Sequence, residues 1–159
     1  FLTSAERNED INIVIDAGGL YYMKEFGCPP NAIITPHPGE AAMLLDCSVD
    51  EVQTDRLETA KKLYKKYNCL IILKGFQTIV FDGEAYRCTD GGPALSTAGT
   101  GDVLAALIGS FLAQGLEKID AAKFSVAIHG AAGDRFSKNN GVRGLTATNL
   151  IKIINKEML

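Results

Sequence analysis

Hydrophobic positions along the chain fall into two rhythms. Ile11-Asn12-Ile13-Val14-Ile15, Ala32-Ile33-Ile34 and Cys69-Leu70-Ile71-Ile72-Leu73 are short, almost continuously apolar runs, the pattern of strands covered on both faces. They end at Asp16, at Thr35-Pro36-His37-Pro38 and at Lys74-Gly75. Thr78–Phe81 and Glu84–Cys88 flank Asp82-Gly83, a hairpin signal because Asp-Gly accepts the positive φ of a tight turn. Elsewhere the period is helical. Leu20–Phe26 and Glu40–Leu45 read as short helical stretches, separated by the Cys28-Pro29-Pro30 loop and the second strand. Pro36 and Pro38 argue against strand or helix at their own positions. Ser48-x-x-Glu51 has capping-box spacing and opens a helix to about Tyr67. Leu57, Ala60, Leu63, Tyr64 and Tyr67 share one face of it, and Lys61, Lys62, Lys65 and Lys66 form a solvated face.

After the glycine-containing loop Thr89–Thr97, a helix is predicted over Gly101–Gln114. It buries Val103, Leu104, Leu107, Ile108, Phe111 and Leu112, and Gly115 ends it. Asp120 caps an Ala- and Gly-rich helix to about Ser137, and Asn139-Asn140-Gly141 turns the chain. Thr148 or Asn149 caps a last helix over Leu150–Met158, while residues 1–10 read as loop or a helix end. Strands alternating with helices, without a repeat or linker, predict a single α/β domain over residues 1–159 with a largely parallel sheet. Both faces of Ile11–Ile15 and Cys69–Leu73 should then be buried, and about five strands leave a long edge to be paired. The expected partner is a severed N-terminal segment, a second copy of the chain or another protein.

Composition narrows the function classes. Of 159 residues, 47% are hydrophobic and 22% charged, which argues against disorder. The net charge of −3 and the lack of a basic stripe speak against nucleic acid. No apolar run is long enough to span a membrane, and the opening residues do not read as a signal peptide. Cys28, Cys47, Cys69 and Cys88 form no C-x-x-C pair, so free thiols in a cytoplasmic protein are expected, with Cys69 in the core. The first residue is Phe1 rather than Met, as in a processed chain or a fragment.

Chemistry concentrates at Gly99-Thr100-Gly101-Asp102. A helix starting here has backbone N–H groups without internal partners, and its dipole favours an anion. No Gly-Lys-Ser/Thr follows, so the cradle is not a Walker loop. Asp102 is either a base for a hydroxyl attacking phosphate or simply an acidic helix-start residue. Thr35-Pro36-His37-Pro38-Gly39-Glu40 lies beyond a strand's C-terminal end, where open α/β sheets bind ligands, though it also reads as a plain turn. Lys74-Gly75 is placed similarly, and its lysine could meet a phosphate. His129 reads as a packing histidine, Asp134 with Arg135 as structural, and Asp16 stays open. No metal-ligand cluster is evident.

These segments occur in a set order. Thr35–Glu40 precedes Leu73-Lys74-Gly75-x-x-Thr78, then Leu95–Leu104, then Ala113-Gln114-Gly115 and His129-Gly130-x-x-Gly133-Asp134. Together they resemble the ADP-dependent NAD(P)H-hydrate dehydratases, a family whose domain also ends the bifunctional NAD(P)H-hydrate repair enzymes. The resemblance implies a ribokinase-like three-layer α/β/α fold with a mostly parallel sheet, of which this chain holds the C-terminal half. It implies that Thr35, Pro36, His37, Pro38, Gly39 and Glu40 contact the hydrated nicotinamide nucleotide. Lys74, Gly75, Phe76, Gln77 and Thr78 would line the site of ADP or ATP. Gly92, Leu95, Ser96, Thr97, Ala98, Gly99, Thr100 and Gly101 would wrap its phosphates, Mg²⁺ would accompany it, and Asp102 would act on the substrate hydroxyl. The implied reaction phosphorylates that hydroxyl and eliminates phosphate, restoring NAD(P)H. Leu95-Ser96-Thr97-Ala98-Gly99 departs from the usual bacterial Leu-Ala-Thr-Gly-Gly, small for small. Other readings stay open: a ribokinase-family kinase of a thiazole or pyrimidine alcohol, or an inactive nucleotide-binding fragment. ADP against ATP, and NADH hydrate against NADPH hydrate, also stay open.

Overall fold

The computed structural model describes residues 11–157. The expected loop or helix end at residues 1–10, and Met158 of the last helix, lie outside them. The described residues form two compact units, residues 11–75 with 79–86 and residues 76–78 with 87–157.

The first unit holds β1 (Ile13–Ile15), α1 (Gly18–Phe26), β2 (Ala32–Ile34), α2 (Pro38–Leu45), α3 (Val49–Thr54), α4 (Arg56–Tyr67), β3 (Leu70–Leu73) and β4 (Ile79–Phe81). With β5 (Ala85–Arg87) the sheet runs β1-β2-β3-β4-β5. β1, β2 and β3 are parallel, with Ile15 opposite Ile34 and Ile34 opposite Ile71. β4 returns antiparallel to β3, Leu73 facing Ile79, so the sheet is mixed. Every residue of β2 and β3 is buried. The core joins Leu20 and Met23 of α1, Leu44 of α2, Val52 of α3 and Leu63 of α4 to Ile71 and Phe81. Leu57, Tyr64 and Tyr67 pack on it as the helical face predicts, and Cys69 is buried.

Several boundaries differ from expectation. Ile11 is 47% exposed and outside β1, whose Ile13 and Val14 are only half-buried. Among the described residues β1 pairs on one side alone, with β2, so its faces lack the cover a central strand has. The helix expected from Ser48 to Tyr67 breaks at Asp55, whose φ of −142° and ψ of 88° are not helical. Asp55 then recaps the chain, its carboxylate accepting from Glu58 N at 2.9 Å, and acidic side chains at such positions satisfy a helix's orphan N–H groups. Pro38 does not exclude helix: it is the first residue of α2, where no backbone N–H is needed.

The second unit contains a 3₁₀ turn at Pro93–Leu95 and helices α5 (Thr100–Ala113), α6 (Lys118–Asn140) and α7 (Ala147–Glu157). Its core joins Ala94, Val103, Ala132, Phe136, Leu145 and Ile154. α6 is longer than expected: Asp120 lies in its first turn rather than at the cap, and Asn139 and Asn140 are helical, with Gly141 ending it. Thr146, not Thr148 or Asn149, caps α7, its hydroxyl accepting from Asn149 N at 3.2 Å. The glycines of α6 serve close approach. A Cβ at Gly130 would lie 2.7 Å from the Asp90 carbonyl oxygen, and one at Gly133 2.6 Å from Leu95 Cγ. Gly130→Ala is therefore expected to lower the unfolding free energy by about 1–3 kcal/mol through overpacking. That is opposite in sign to the gain of about 1 kcal/mol that alanine brings to an exposed helix. Urea unfolding decides, and a gain in stability would show that the Asp90 backbone yields freely.

Candidate functional site

Three parallel strands of the first unit end together, and the residue after each is polar: Asp16 after β1, Thr35 after β2 and Lys74 after β3. Thr35 N donates to Ile15 O at 3.1 Å and Lys74 N to Pro36 O at 2.8 Å, which extends the sheet's pairing past the strand ends. Lys74 Nζ lies 2.7 Å from Asp16 Oδ1 and 3.8 Å from Glu40 Oε2. The three side chains are only 18%, 13% and 9% exposed for Lys74, Asp16 and Glu40. Burial pushes the Asp16 carboxyl up, but the hydrogen bond and charge of Lys74, helped by Thr35 and the Ala17 backbone, outweigh it and hold Asp16 below the ordinary aspartate value.

Glu40 links this charge cluster to His37. His37 is the N-cap of α2 in a capping box with Glu40. Its Nδ1 accepts from Gly39 N at 3.0 Å and Glu40 N at 3.2 Å, and Glu40 Oε2 accepts from His37 N at 2.8 Å. An Nδ1 that accepts carries no proton, so the neutral ring holds its proton on Nε2. Nε2 lies 3.5 Å from Glu40 Oε1, and the imidazole is 56% exposed. A Cβ at Gly39 would sit 3.0 Å from His37 Cε1, so glycine leaves the ring its seat. Arg56 secures the end of β3: its Nη2 donates to Leu73 O at 3.0 Å and Lys74 O at 3.2 Å. At Gly75, whose φ is +130°, a Cβ would meet Arg56 Nη1 at 2.9 Å.

In the second unit the start of α5 is left open. Gly99, φ +86°, is its N-cap and brings no side chain to the first turn. Thr100 faces backward, its hydroxyl donating between Leu95 O at 2.6 Å and Thr97 O at 2.8 Å, while Thr97 Oγ1 donates to Ala94 O at 3.2 Å. His129 Nε2 lies 2.9 Å from Thr100 O; a carbonyl only accepts, so the imidazole donates. This is the packing role expected of His129. Asp134 accepts from Gly91 N at 2.9 Å and fixes the loop that leads through Gly92 to Leu95. Ser96, Thr97 and Ala98 are exposed, Gly101 is half-buried, and Asp102 is exposed in the first turn of α5. No hydrogen bond or ion pair engages the Asp102 carboxylate among the described residues. The five-residue segment from Lys74 is divided: Lys74 and Gly75 belong to the first unit, Phe76, Gln77 and Thr78 to the second. There Gln77 Oε1 accepts from Arg87, and Thr78 O from Cys88 N. Among the described residues no three His, Cys, Asp or Glu side chains gather as a metal cage, and no helix is long and apolar enough to cross a membrane.

A family model described as NAD(P)H-hydrate dehydratase matches residues 2–156. The chain belongs to that family. The bifunctional NAD(P)H-hydrate repair enzyme of Vibrio cholerae is 42% identical over 140 residues, covering 87% of this chain and 28% of the relative. The ADP-dependent (S)-NAD(P)H-hydrate dehydratase of Neisseria meningitidis is 43% identical over 118 residues, covering 73% and 40%. The chain thus spans less than half the length of these relatives. A solved ADP/ATP-dependent NAD(P)H-hydrate dehydratase from Bacillus subtilis, co-crystallized with ATP/Mg²⁺, superposes with a TM-score of 0.85 at 31% identity, covering 92% of this chain and 54% of that one. A hydroxyethylthiazole kinase from Pyrococcus horikoshii, at 19% identity and TM-score 0.73, shares the fold. The ribokinase-like α/β reading is borne out.

In this dehydratase-family chain, sequence reasoning brought forward His37, Glu40 and Lys74 but left Asp16 open and passed over Arg56. The available signal was Asp16's place directly after an apolar strand, matching Lys74's. Because its folded value is depressed, Asp16 stabilises the fold above its unfolded value, near pH 3.9, and that contribution is lost as pH falls through the lower folded value. Glu40 is the other acid facing Lys74. Asp16→Asn should therefore flatten the acid limb of stability. Urea midpoints between about pH 6 and pH 3 test this, and parallel limbs for variant and parent would refute it.

Proposed function

We propose that this chain supplies the phosphate-binding helix start and part of the substrate pocket of an enzyme that dehydrates hydrated NADH or NADPH at the expense of ADP or ATP. The observation that carries the reading is the start of α5. It has no capping side chain, its threonine is turned back into the loop, and the Asp102 carboxylate has no partner among the described residues. Such a start binds anions through orphan N–H groups and the helix dipole. The terminal phosphate of the nucleotide sits against Gly99, Thr100 and Gly101, and the loop from Gly92 through Leu95, Ser96, Thr97 and Ala98 encloses it. Lys74, Gly75, Phe76, Gln77 and Thr78 are the further residues assigned to nucleotide contact. Thr35, Pro36, His37, Pro38, Gly39 and Glu40 form the substrate loop, with His37 donating from Nε2.

The ring hydroxyl attacks phosphorus as Asp102 takes its proton, and the bond from phosphorus to the leaving nucleotide breaks. The carbon–oxygen bond then breaks with its electron pair leaving on phosphate, and the neighbouring ring carbon gives up a proton to restore the double bond. Mg²⁺ would be held mainly by phosphate oxygens, which needs no clustered metal cage, and none occurs among the described residues; when bound it would screen phosphate charge. Four free thiols suit a cytoplasmic setting.

Return of NADH absorbance on adding ADP or ATP to hydrated NADH and the full-length native protein tests the reading. A phosphorylated thiazole alcohol accumulating instead would favour the kinase alternative. Asp102→Asn should keep nucleotide binding and lower turnover by about 10²-fold or more. ADP or ATP should raise the Tm by mass action. Gly101→Val should abolish that shift, because its branched side chain fills the phosphate's space. An equal shift in the valine variant would place the nucleotide elsewhere.

The half-buried Ile13 and Val14 of β1, with Tyr21, Tyr22 and Phe26 exposed on α1, fit a sheet completed by further chain or a second copy. The chain alone should self-associate. A stable, cooperatively unfolding monomer of 17.0 kDa in sedimentation would overturn that expectation.

A further inference from the structure

The polar groups at the ends of β1–β3 form a chain of contacts that reaches beyond the substrate loop. Asp16 is at its far end, 58 residues from Lys74 in sequence. We propose that Asp16 is a positioning residue for the hydrate-binding loop: through Lys74 it frees the Glu40 carboxylate to orient His37. The inference rests on the proposed role of His37 in holding the hydrated nicotinamide.

Distances decide which carboxylate holds the ammonium. Lys74 Nζ is 2.7 Å from Asp16 Oδ1 and 3.8 Å from Glu40 Oε2. Asp16 therefore takes the short, charge-assisted bond. Glu40 Oε2 is left to accept from His37 N at 2.8 Å, while Oε1 faces His37 Nε2 at 3.5 Å. Without a charge on Asp16, Lys74 has one carboxylate in reach. A charge-assisted bond is about twice as strong as a neutral one, so the ammonium wins Oε2 from the His37 N–H. The capping box then loses one of its two reciprocal bonds, and the glutamate that faces Nε2 turns toward Lys74. Asp16 does this without touching the ring. The Thr35 hydroxyl, buried beside it, donates to Ile15 O at 3.4 Å, and Lys74 N, bonded to Pro36 O, ties the lysine to the same loop.

The test is Asp16→Asn in the full-length native protein, which removes the charge at nearly constant shape. Long-range proton–nitrogen NMR of the His37 ring reads the tautomer and the environment of Nε2–H. The expected result is a shifted or exchange-broadened Nε2–H signal in the variant. With it, the Michaelis constant for the hydrate should rise about tenfold, and by more than that for the nucleotide, whose proposed contacts include Lys74. An unchanged ring signal overturns the proposal. So does a change in the nucleotide's constant in place of the hydrate's, which would make Asp16 a support of nucleotide binding. A lower Tm with both readouts unmoved would leave Asp16 purely structural and also refutes it. If Asp16→Asn does not fold, Asp16→Glu, which keeps the charge but displaces it by one methylene, carries the same two readouts. If the native protein does not dehydrate the hydrate, the proposed function fails on its own, and the His37 signal alone then decides whether Asp16 orients the ring.

Discussion

A lysine ammonium with less than a fifth of its side chain in water needs counter-charge, and Lys74 finds it on both sides, in Asp16 and Glu40. Desolvating three charges costs several kcal/mol per ion, so such a cluster is weak evidence of stabilisation; its groups depend on one another because losing any one leaves the others uncompensated. What it does provide is fixed geometry. Three short parallel strands in register bring their ends together, and the ion pairs hold the first residues beyond those ends. Arg56 adds a second constraint by binding two consecutive carbonyls at the end of β3, so Lys74 is fixed by its backbone as well as its head group.

The second unit follows the opposite logic. There the conspicuous feature is a helix start left without a cap. Thr100 could have turned its hydroxyl toward the first turn, yet it donates backward to Leu95 and Thr97. His129 braces the Thr100 carbonyl and Asp134 the Gly91 amide. The Thr97 and Thr100 hydroxyls and the Gly91 amide are thereby engaged within the protein, and none of them caps the start of α5. Holding an unsatisfied dipole rigid needs tight packing behind it. Gly130 and Gly133 provide this by letting the Asp90–Leu95 segment lie directly on α6.

The sequence made the local features legible. Continuous apolar runs gave β2 and β3, Asp82-Gly83 gave the hairpin, and Ser48-x-x-Glu51 gave a capping box whose two bonds are both present. Each obeys a rule that acts within a few residues. His37-x-x-Glu40 has the same spacing and the same reciprocal bonds, but histidine is outside the usual capping set and the flanking prolines suggested a turn. The break at Asp55 was hidden for a related reason: the helical period continues across it, and only backbone geometry shows that a new cap begins. Pairing of Asp16 with Lys74 was illegible because it is set by strand register, which no local pattern fixes. The order of motifs carried the family, since it samples several distant positions at once.

His37 and Asp102 are the two groups that sequence reasoning offered for chemistry, and the structure separates their capabilities. The Nδ1 lone pair of His37 already accepts two backbone N–H groups. Taking a proton there would forfeit the first-turn cap of α2, and Nε2 already carries the ring's proton. In this arrangement His37 donates and orients; it does not accept. Asp102 has no internal partner among the described residues to release before it takes a proton. It also lies exposed in the first turn of α5. Of the two, Asp102 is the one whose surroundings permit general-base catalysis without first dismantling local structure.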